Sequence, residues 1–585
     1  MTVAIIFSAD DARRFIREKP RADAVISLTP AACAELKGES VPVVITSDIV
    51  YSDCSHARTA ARASRAFERF QSTFKPPVEL GLAASLLLEH RINSLAVIGL
   101  RAWMSVGSTG PWLIPVLGEW RLTNDRHEAQ MHVVNLAIGS GERLTRKVAV
   151  PFPQIYRALR WLVVAMVARR RRWIAGPGDY RQGITEIIKA DPTLGMAALK
   201  FGSSGRETYR ALAVGAARHI LGRRAGLDVM LVPRWNRVPL TSGYLHAFRI
   251  ALEAIRDEPV QYVLNHLAEP LADSTRLSNA LAFDAEAVIR HLRPALCLYQ
   301  ISNSIYTAPV ADGAAKACAQ TAILNYNSLS ARHGPRARAV SKRLARLRYA
   351  NSLWSFILCW SPHGSEIAEA SKNSTSSRLL PVRLVDNSVE RERGNAKFHI
   401  LHADNYHEWI HSQPLIVQTS DEFVTYTRKL LKVVAALPEI DVEIRLKRKS
   451  ECDPEIFKKL VDVPANVSVS DIKVPFSRRV AVSDLVISFM STTIEEALAA
   501  RVPVLLWGPT RRYVHLPARA IPPTRSDRAA VYQVSSEEML QPMIMAIREA
   551  HLGAPLTDAE VSPYLWDAAT PTLKETILAL AAGRT

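Results

Sequence analysis

At 585 residues the chain is longer than a single hydrophobic core supports, so roughly two to four domains are expected. With 48% hydrophobic and 22% charged residues it is neither disordered nor fibrous, and its six scattered cysteines include no CxxC pair, which argues against a disulfide framework or a thiolate zinc site. The formal net charge of +18 calls for an anionic partner: nucleic acid, anionic lipid or phosphorylated small molecules.

The opening MTVAIIFSADDARRF has no basic n-region and is expected to be a first strand rather than a signal peptide. No run of about 20 uncharged apolar residues follows anywhere, so a cytoplasmic location is expected, with at most peripheral contact at the inner face of the membrane. Residues 1–75 alternate VAIIF, an Arg-rich helix from Asp10, ADAVISL, a helix around Ala31 to Leu36, and VPVVITSDIV. That rhythm predicts a parallel sheet with helices across it. Asp53 and His56 follow the third strand, where α/β proteins bind ligands, and are candidates for a catalytic base; the alternative is a solvated loop in which Asp53 caps a helix running through Phe67.

Over 76–220 the rhythm is lost, and the stretch is expected to be a mainly helical insertion or an acceptor-side subdomain. Leu80 to Met104 has a helical pattern, and a second long helix is expected from Gln154 to Trp173. The apolar centre of that helix, Trp161 to Ala168, is far too short to span a bilayer. Arg169 to Arg172 suit either a helix at an anionic membrane surface or a buried helix whose basic end is solvated. The second reading is preferred here, because the apolar segment shows no strongly one-sided pattern.

From Gly226 the α/β rhythm returns with LDVMLVP. Asp284 is expected to cap the helix AEAVIRHL, Pro294 to stop it, and ALCLYQIS to form a buried strand; the small-residue helix TAPVADGAAKACAQ and the strand TAILNYN come next, and then His333-Gly334. The basic run Arg332 to Arg348 lacks interleaved aromatics, so a single-stranded nucleic-acid platform is not expected, and nucleic acid is not the expected partner. FILC then gives a strand, Pro362 to Gly364 a turn and Ser365 a helix cap, before a polar linker around 371–395.

The last α/β unit reads AKFHILHADNY, the helix DEFVTYTRKLLKVVAAL, the strand DVEIRLKR, VSVSD, a short helix, and the strand DLVIS. Ser491, Thr492 and Thr493 are expected to cap the helix IEEALAA, with Glu495 and Glu496 in its first turn, and Val502-Pro503 to force its end. A strand–turn–helix of this kind presents backbone N–H groups beyond the carboxyl edge of the sheet, where a phosphate is favoured. Arg445 and Lys447 stand at the end of an earlier strand, and Arg512 and Tyr513 in a loop after the next one, positions suited to a phosphate or a nucleobase and equally open to plain solvation.

These residues resemble a family. Strand, small hydroxyl residues, Glu-Ala-Leu-Ala and a proline seven positions after Glu496 look like the donor-binding half of GT-B glycosyltransferases, and the element order matches that half over roughly 170 residues. The order ending in His333-Gly334 resembles the close of the N-terminal domain in bacterial GT-B enzymes and related glycerophosphotransferases of surface and capsular polymers. The resemblance implies an α/β fold with two Rossmann-like domains facing a cleft. The expected boundaries are 1–75 and 221–385 for the N-terminal domain, 76–220 for the insertion, 386–560 for the donor domain, and 561–585 for a C-terminal helix that packs back on the N-terminal domain. It implies that Glu496 holds the donor ribose, that Ser491 to Thr493 and Arg445 or Lys447 hold the donor phosphate, and that His333 faces the cleft. The implied function is metal-independent transfer of a sugar from a nucleotide-sugar donor to a saccharide or glycolipid acceptor, with no cofactor beyond that co-substrate. Transfer of a polyol phosphate, epimerisation of a nucleotide sugar, and a non-catalytic binding role in an export assembly are the alternatives on the same scaffold.

Overall fold

The computed structural model describes residues 1–41, 43–45, 53–106, 110–116, 119–139, 152–168, 172–177, 191–201, 226–300, 307–325, 350–371, 377–383, 397–403, 418–446, 452–471, 473–510 and 513–583, with isolated positions between them. Their strands form three sheets.

The first contains β1 (Val3–Ile6), β2 (Ala24–Ser27), β3 (Val43–Ile45), β4 (Trp112–Val116) and β5 (Glu119–Thr123), in the order β3-β2-β1-β4-β5. Only the β4–β5 pair is antiparallel. Its core is shared with the helices Asp53–Thr73 and Leu82–Ser105 and with the segment from Tyr244 to Ala272.

The second contains β6 (Arg172–Gly176), β7 (Leu194–Lys200), β8 (Leu227–Met230), β9 (Leu296–Tyr299), β10 (Thr321–Asn325), β11 (Phe356–Cys359) and β12 (Arg378–Pro381). Its spatial order, β8-β7-β6-β9-β10-β11-β12, is all parallel and reverses direction between β6 and β9. The third contains β13 (Phe398–Ala403), β14 (Ile440–Arg445), β15 (Val467–Ser470), β16 (Leu485–Ser488), β17 (Val504–Leu506) and β18 (Val531–Gln533), in the order β15-β14-β13-β16-β17-β18. It reverses between β13 and β16. Both sheets are therefore doubly wound in the 3-2-1-4-5-6 order of a Rossmann fold, the N-terminal one with β12 added as a seventh strand, and each has one switch point where a ligand crevice opens.

The chain is an α/β protein with two Rossmann-like domains. Their strands are drawn from other stretches than the sequence suggested. β1–β3 do not join the sheet of 227–381; they pair with β4 and β5 in a unit of their own. The stretch 76–220 carries helices, but β6 and β7 within it are the first two strands of the N-terminal doubly wound sheet. The helix expected over Gln154 to Trp173 ends at Ala168, and Trp173 is a buried strand residue. Pairing partners decide this, and a short apolar strand after a basic run reads locally as more helix.

Asp284 caps nothing. It lies inside the helix Ala268–Leu292, fully buried, and binds Arg160 of the helix Pro153–Ala168 in a bidentate pair at 2.6 and 2.9 Å. The Val232 N–H donates to it at 2.8 Å and Arg234 at 3.1 Å. Burial pushes its pKa up, but these donors outweigh it and hold the carboxyl below the ordinary range. Asp312 does cap a helix, a remote one: its two carboxylate oxygens accept the N–H groups of Ala83 and Ala84 at 2.8 and 2.9 Å. Gly81 precedes that helix because a Cβ there would meet the Asp312 carboxyl at 2.2 Å.

The carboxyl edges of the two doubly wound sheets face each other. Phe489, after β16, and Tyr513, after β17, are packed into the core built on β6, β9 and β11. The C-terminal helix Leu573–Ala581 buries Leu573, Ile577 and Leu580 against strands of the N-terminal sheet, and Trp566 donates its indole N–H to the Cys359 carbonyl at 2.8 Å. The first unit also touches the C-terminal domain, through a buried ion pair of Arg101 with Asp421 at 3.6 Å.

Candidate functional site

The site lies at the β13–β16 switch point. All four residues of β16 are buried because helices cover both faces of the parallel sheet. Beyond Ser488 the chain turns into the helix Thr493–Ala499, whose first turn carries Glu495 and Glu496. The hydroxyls before it act differently from three caps. Thr492 is the N-cap residue but its side chain makes no cap bond. The Ser491 hydroxyl accepts the Thr493 N–H at 3.3 Å, and the Thr493 hydroxyl donates across the switch point to the Ala403 carbonyl at 3.2 Å. That last bond ties the end of β16 to the end of β13. Gly508 keeps the neighbouring turn close, since a Cβ there would sit 2.7 Å from the Phe489 ring.

Arg445 ends β14 beside this crevice. Its guanidinium donates to the Val474 carbonyl at 3.1 Å and lies over the Phe476 ring, 5.7 Å from the centroid. Burial lowers its pKa, while the charges of Glu443 and Glu496 act in the opposite direction. Arg445 and half-buried Glu496 therefore share one electrostatic neighbourhood, a cation and a carboxylate at the carboxyl edge.

A second group lies where the two domains meet. Glu495 is buried, and its Oε1 lies 2.9 Å from His515 Nε2; His515 Nδ1 lies 3.1 Å from the Tyr513 hydroxyl. A carboxylate accepts only, so the bond to Glu495 places His515 Nε2 as the donor. From the other domain, His363 follows β11 with its charge environment set by Glu366, His515 and Glu495. Burial, the largest cause, lowers the His363 pKa, so the ring is neutral at pH 7 and able to accept a proton. Its Nδ1 lies 3.6 Å from Glu366.

Among the described residues, four buried polar atoms along these facing edges have no hydrogen-bond partner: Arg445 Nε, Ser488 Oγ, Glu495 Oε2 and His363 Nε2. Buried polar atoms are nearly always paired, so these four leave hydrogen-bonding capacity for a polar ligand near the crevice, although unpartnered atoms occur elsewhere in the chain too.

Of the residues singled out in the sequence, Ser491, Thr492, Thr493, Glu496 and Arg445 come together here. Tyr513 is near but is fully buried, its ring edge-on to Phe489 at 5.7 Å, so it is a contact between the domains rather than a loop aromatic open to a nucleobase. Asp53 and His56 lie in the helix Asp53–Thr73, with side chains outside the described residues. Lys447, Arg512 and His333 also lie outside them. His363 escaped notice although its signal was present: the dipeptide His-Gly recurs at 363–364, directly after the buried strand FILC. Ser361, not Ser365, caps that helix by accepting the Gly364 N–H at 3.0 Å.

No known protein family and no curated protein sequence matches the chain. Solved structures of similar arrangement include a UDP-N-acetylglucosamine 2-epimerase homologue from Listeria monocytogenes, at 10% identity and TM-score 0.38, covering 70% of this chain and 95% of that one. Others are MurG from Acinetobacter baumannii (12%, TM-score 0.37, 71% and 99%) and the glycosyltransferase SnogD from Streptomyces nogalater (16%, TM-score 0.34, 71% and 99%). The assignment of a GT-B-like pair of domains rests on the two strand orders and the facing carboxyl edges.

Proposed function

We propose that the protein is a glycosyltransferase that moves a sugar from a nucleotide-sugar donor to a surface polysaccharide or glycolipid acceptor in the cytoplasm. The cation Arg445 and the carboxylate Glu496 placed together at the β13–β16 switch point, beside the turn Ser491 to Thr493, support this reading best. In it, Glu496 accepts from the ribose hydroxyls of the donor, and Arg445 with Ser491 and Thr492 meets its diphosphate. The acceptor oxygen bonds to the anomeric carbon as the carbon–oxygen bond to the diphosphate breaks, and the diphosphate leaves with the electron pair. Arg445 stabilises the charge that grows on it. The acceptor proton goes to a base on the N-terminal side: the imidazole of His363 among the described residues, with His333, Asp53 and His56 as the candidates drawn from sequence.

Epimerisation of the nucleotide sugar is the second reading, favoured by one observation: Glu495 and His363 put two acid–base groups from opposite domains into one electrostatic neighbourhood. Product analysis separates the two, since transfer releases a nucleoside diphosphate and epimerisation does not.

Titration calorimetry against a panel of nucleotide sugars tests the site. At least one should bind, and Glu496→Ala should weaken it on the order of 100-fold, through loss of about 3 kcal/mol of charged hydrogen bonding, with the unfolding temperature unchanged. A panel without a binder, or a Glu496→Ala protein that binds as tightly as the parent, refutes the reading.

A further inference from the structure

The helix Pro153–Ala168 has two apolar faces where a helix on a globular surface needs one. Tyr156, Val163, Val164 and Val167 are buried in the N-terminal doubly wound domain. At about 100° per residue, Ile155, Leu159, Leu162 and Met166 fall on a second line beside the buried one, and Phe152 just before the helix falls with them. These are exposed by 56, 44, 60, 40 and 71% respectively. Single exposed leucines are ordinary, but five large apolar side chains in register form a patch that needs a partner. Phe152 also takes a left-handed backbone, φ 47°, a conformation costly for a bulky residue.

Basic side chains stand at both ends of this stripe. The helix itself contains no carboxylate, and its two arginines, Arg157 and Arg160, meet the buried Asp284 of a neighbouring helix together with Arg234. At the Phe152 end, the Tyr209 hydroxyl donates to the Phe152 carbonyl at 3.2 Å and its ring stands edge-on to Tyr156, which brings the chain bearing the exposed Arg210 to this end of the helix. At the Met166 end, exposed Arg172 opens β6 just beyond the helix. In the sequence Arg169, Arg170 and Arg171 stand between the helix and Arg172, outside the described residues. Asp191 lies near Arg172, with the Thr193 N–H and hydroxyl both donating to its Oδ1 at 2.7 Å, so Arg172 faces one carboxylate as well as solvent.

We propose that this face docks on the anionic surface of a lipid bilayer, with the apolar stripe at the boundary of headgroups and acyl chains and Arg172 and Arg210 against lipid phosphates. The helix has 16 residues, and no described helix is long and apolar enough to cross a membrane, so it lies in the plane of the interface. A second copy of the chain is the weaker occupant. With arginines at both ends of the stripe, a symmetric self-contact would bring those of the two copies together. The inference deepens the transferase reading by placing the acceptor-side domain at a membrane. It is tested without donor or acceptor, so either reading can fail while the other stands.

Flotation of the full chain with vesicles of mixed phosphatidylcholine and phosphatidylglycerol, against phosphatidylcholine alone, is the test. The protein should rise with the anionic vesicles only. The Ile155→Gln/Leu159→Gln/Leu162→Gln variant should lose about tenfold or more of that binding. Arg172→Gln/Arg210→Gln, which leaves the apolar stripe intact and so reads the proposal even if the triple variant misfolds, should lose about tenfold. Unfolding temperatures equal to the parent's show that the fold is retained. Failure of the parent to float with anionic vesicles, equal flotation with neutral ones, or variants that bind as the parent does would overturn the proposal. So would a lipid-independent dimer that the triple variant dissociates.

Discussion

The two doubly wound sheets share a strand order and differ in what they carry at the carboxyl edge. Beside its switch point the C-terminal edge holds Arg445, Glu495 and Glu496, whereas β9, β10 and β11 of the N-terminal sheet lead to Gln300, Asn325, Ser361 and the imidazole of His363, with its charged groups, Lys200 and Arg234, at the ends of β7 and β8. One topology thus supplies two crevices, and the residues decide which suits an anionic ligand and which a neutral one. The interiors differ too. The N-terminal domain holds Asp284 against Arg160 within its own core, while the C-terminal domain buries Glu495 against His515 and Asp421 against Arg101 of the first unit.

The largest effect should come from the pair of Asp284 with Arg160. Asp284→Ala leaves Arg160 buried without its carboxylate and should cost roughly 3–5 kcal/mol. Amide exchange should accelerate in β6 to β9 and leave β13 and β16 unchanged. Equal loosening of both sheets would show that the domains do not unfold separately, and the contrast between them would collapse.

The next effect is of opposite sign in the two halves. Burial holds the His402 imidazole of β13 down at about 4, below its ordinary 6.5. Between these values the unfolded chain binds more protons than the folded one, so acidification from 6.5 toward 4 should remove up to about 3 kcal/mol from the C-terminal domain. Burial, opposed by the Ala83 and Ala84 N–H groups, raises Asp312 to about 6 from 3.8. There the folded chain binds more protons, so the contact between Asp312 and the helix Leu82–Ser105 should lose up to about 3 kcal/mol as pH rises from 3.8 through 6. Exchange corrected for its intrinsic pH dependence should therefore rise in β13 and fall in that helix on acidification. His402→Phe and Asp312→Asn should each flatten their own limb only.

The smallest effect belongs to the contact between the domains. His515→Ala removes the partner of both Glu495 and Tyr513 and should cost about 1–3 kcal/mol. Exchange at residues 489–495 should quicken while β13 to β15 stay protected. Unchanged exchange there would mean that this polar group does not steady the turn whose Phe489 packs, with Tyr513, into the N-terminal domain.

Much of the crevice at the β13–β16 switch point is readable in the sequence alone. Leu485–Ser488, the helix bearing Glu496 and the stop before Pro503 follow from an apolar run, first-turn carboxylates and a proline, all of which act within a few residues of one another. Arg445 was found for the same reason, as the end of a strand. His363 was not, because a histidine at a strand end acquires its meaning only from Glu495 and His515, more than a hundred positions away. The exposed stripe of the helix Pro153–Ala168 was hidden in the same way. Its sequence is apolar on two faces, and only the packing of Tyr156, Val163 and Val167 shows which one is covered.

The sequence by itself determined the α/β class, most of the individual strands and helices, and the local chemistry of the turn from Ser488 to Glu496, because hydrophobic period, caps and prolines act over short distances. Tertiary structure decided sheet membership. β1 to β3 and β6 to β8 are short apolar strands of the same local character, yet the former pair with β4 in a separate unit and the latter open the Rossmann-like sheet. Hydrogen-bond partners across a sheet are chosen by the burial of whole faces, and that choice is made only when distant segments meet.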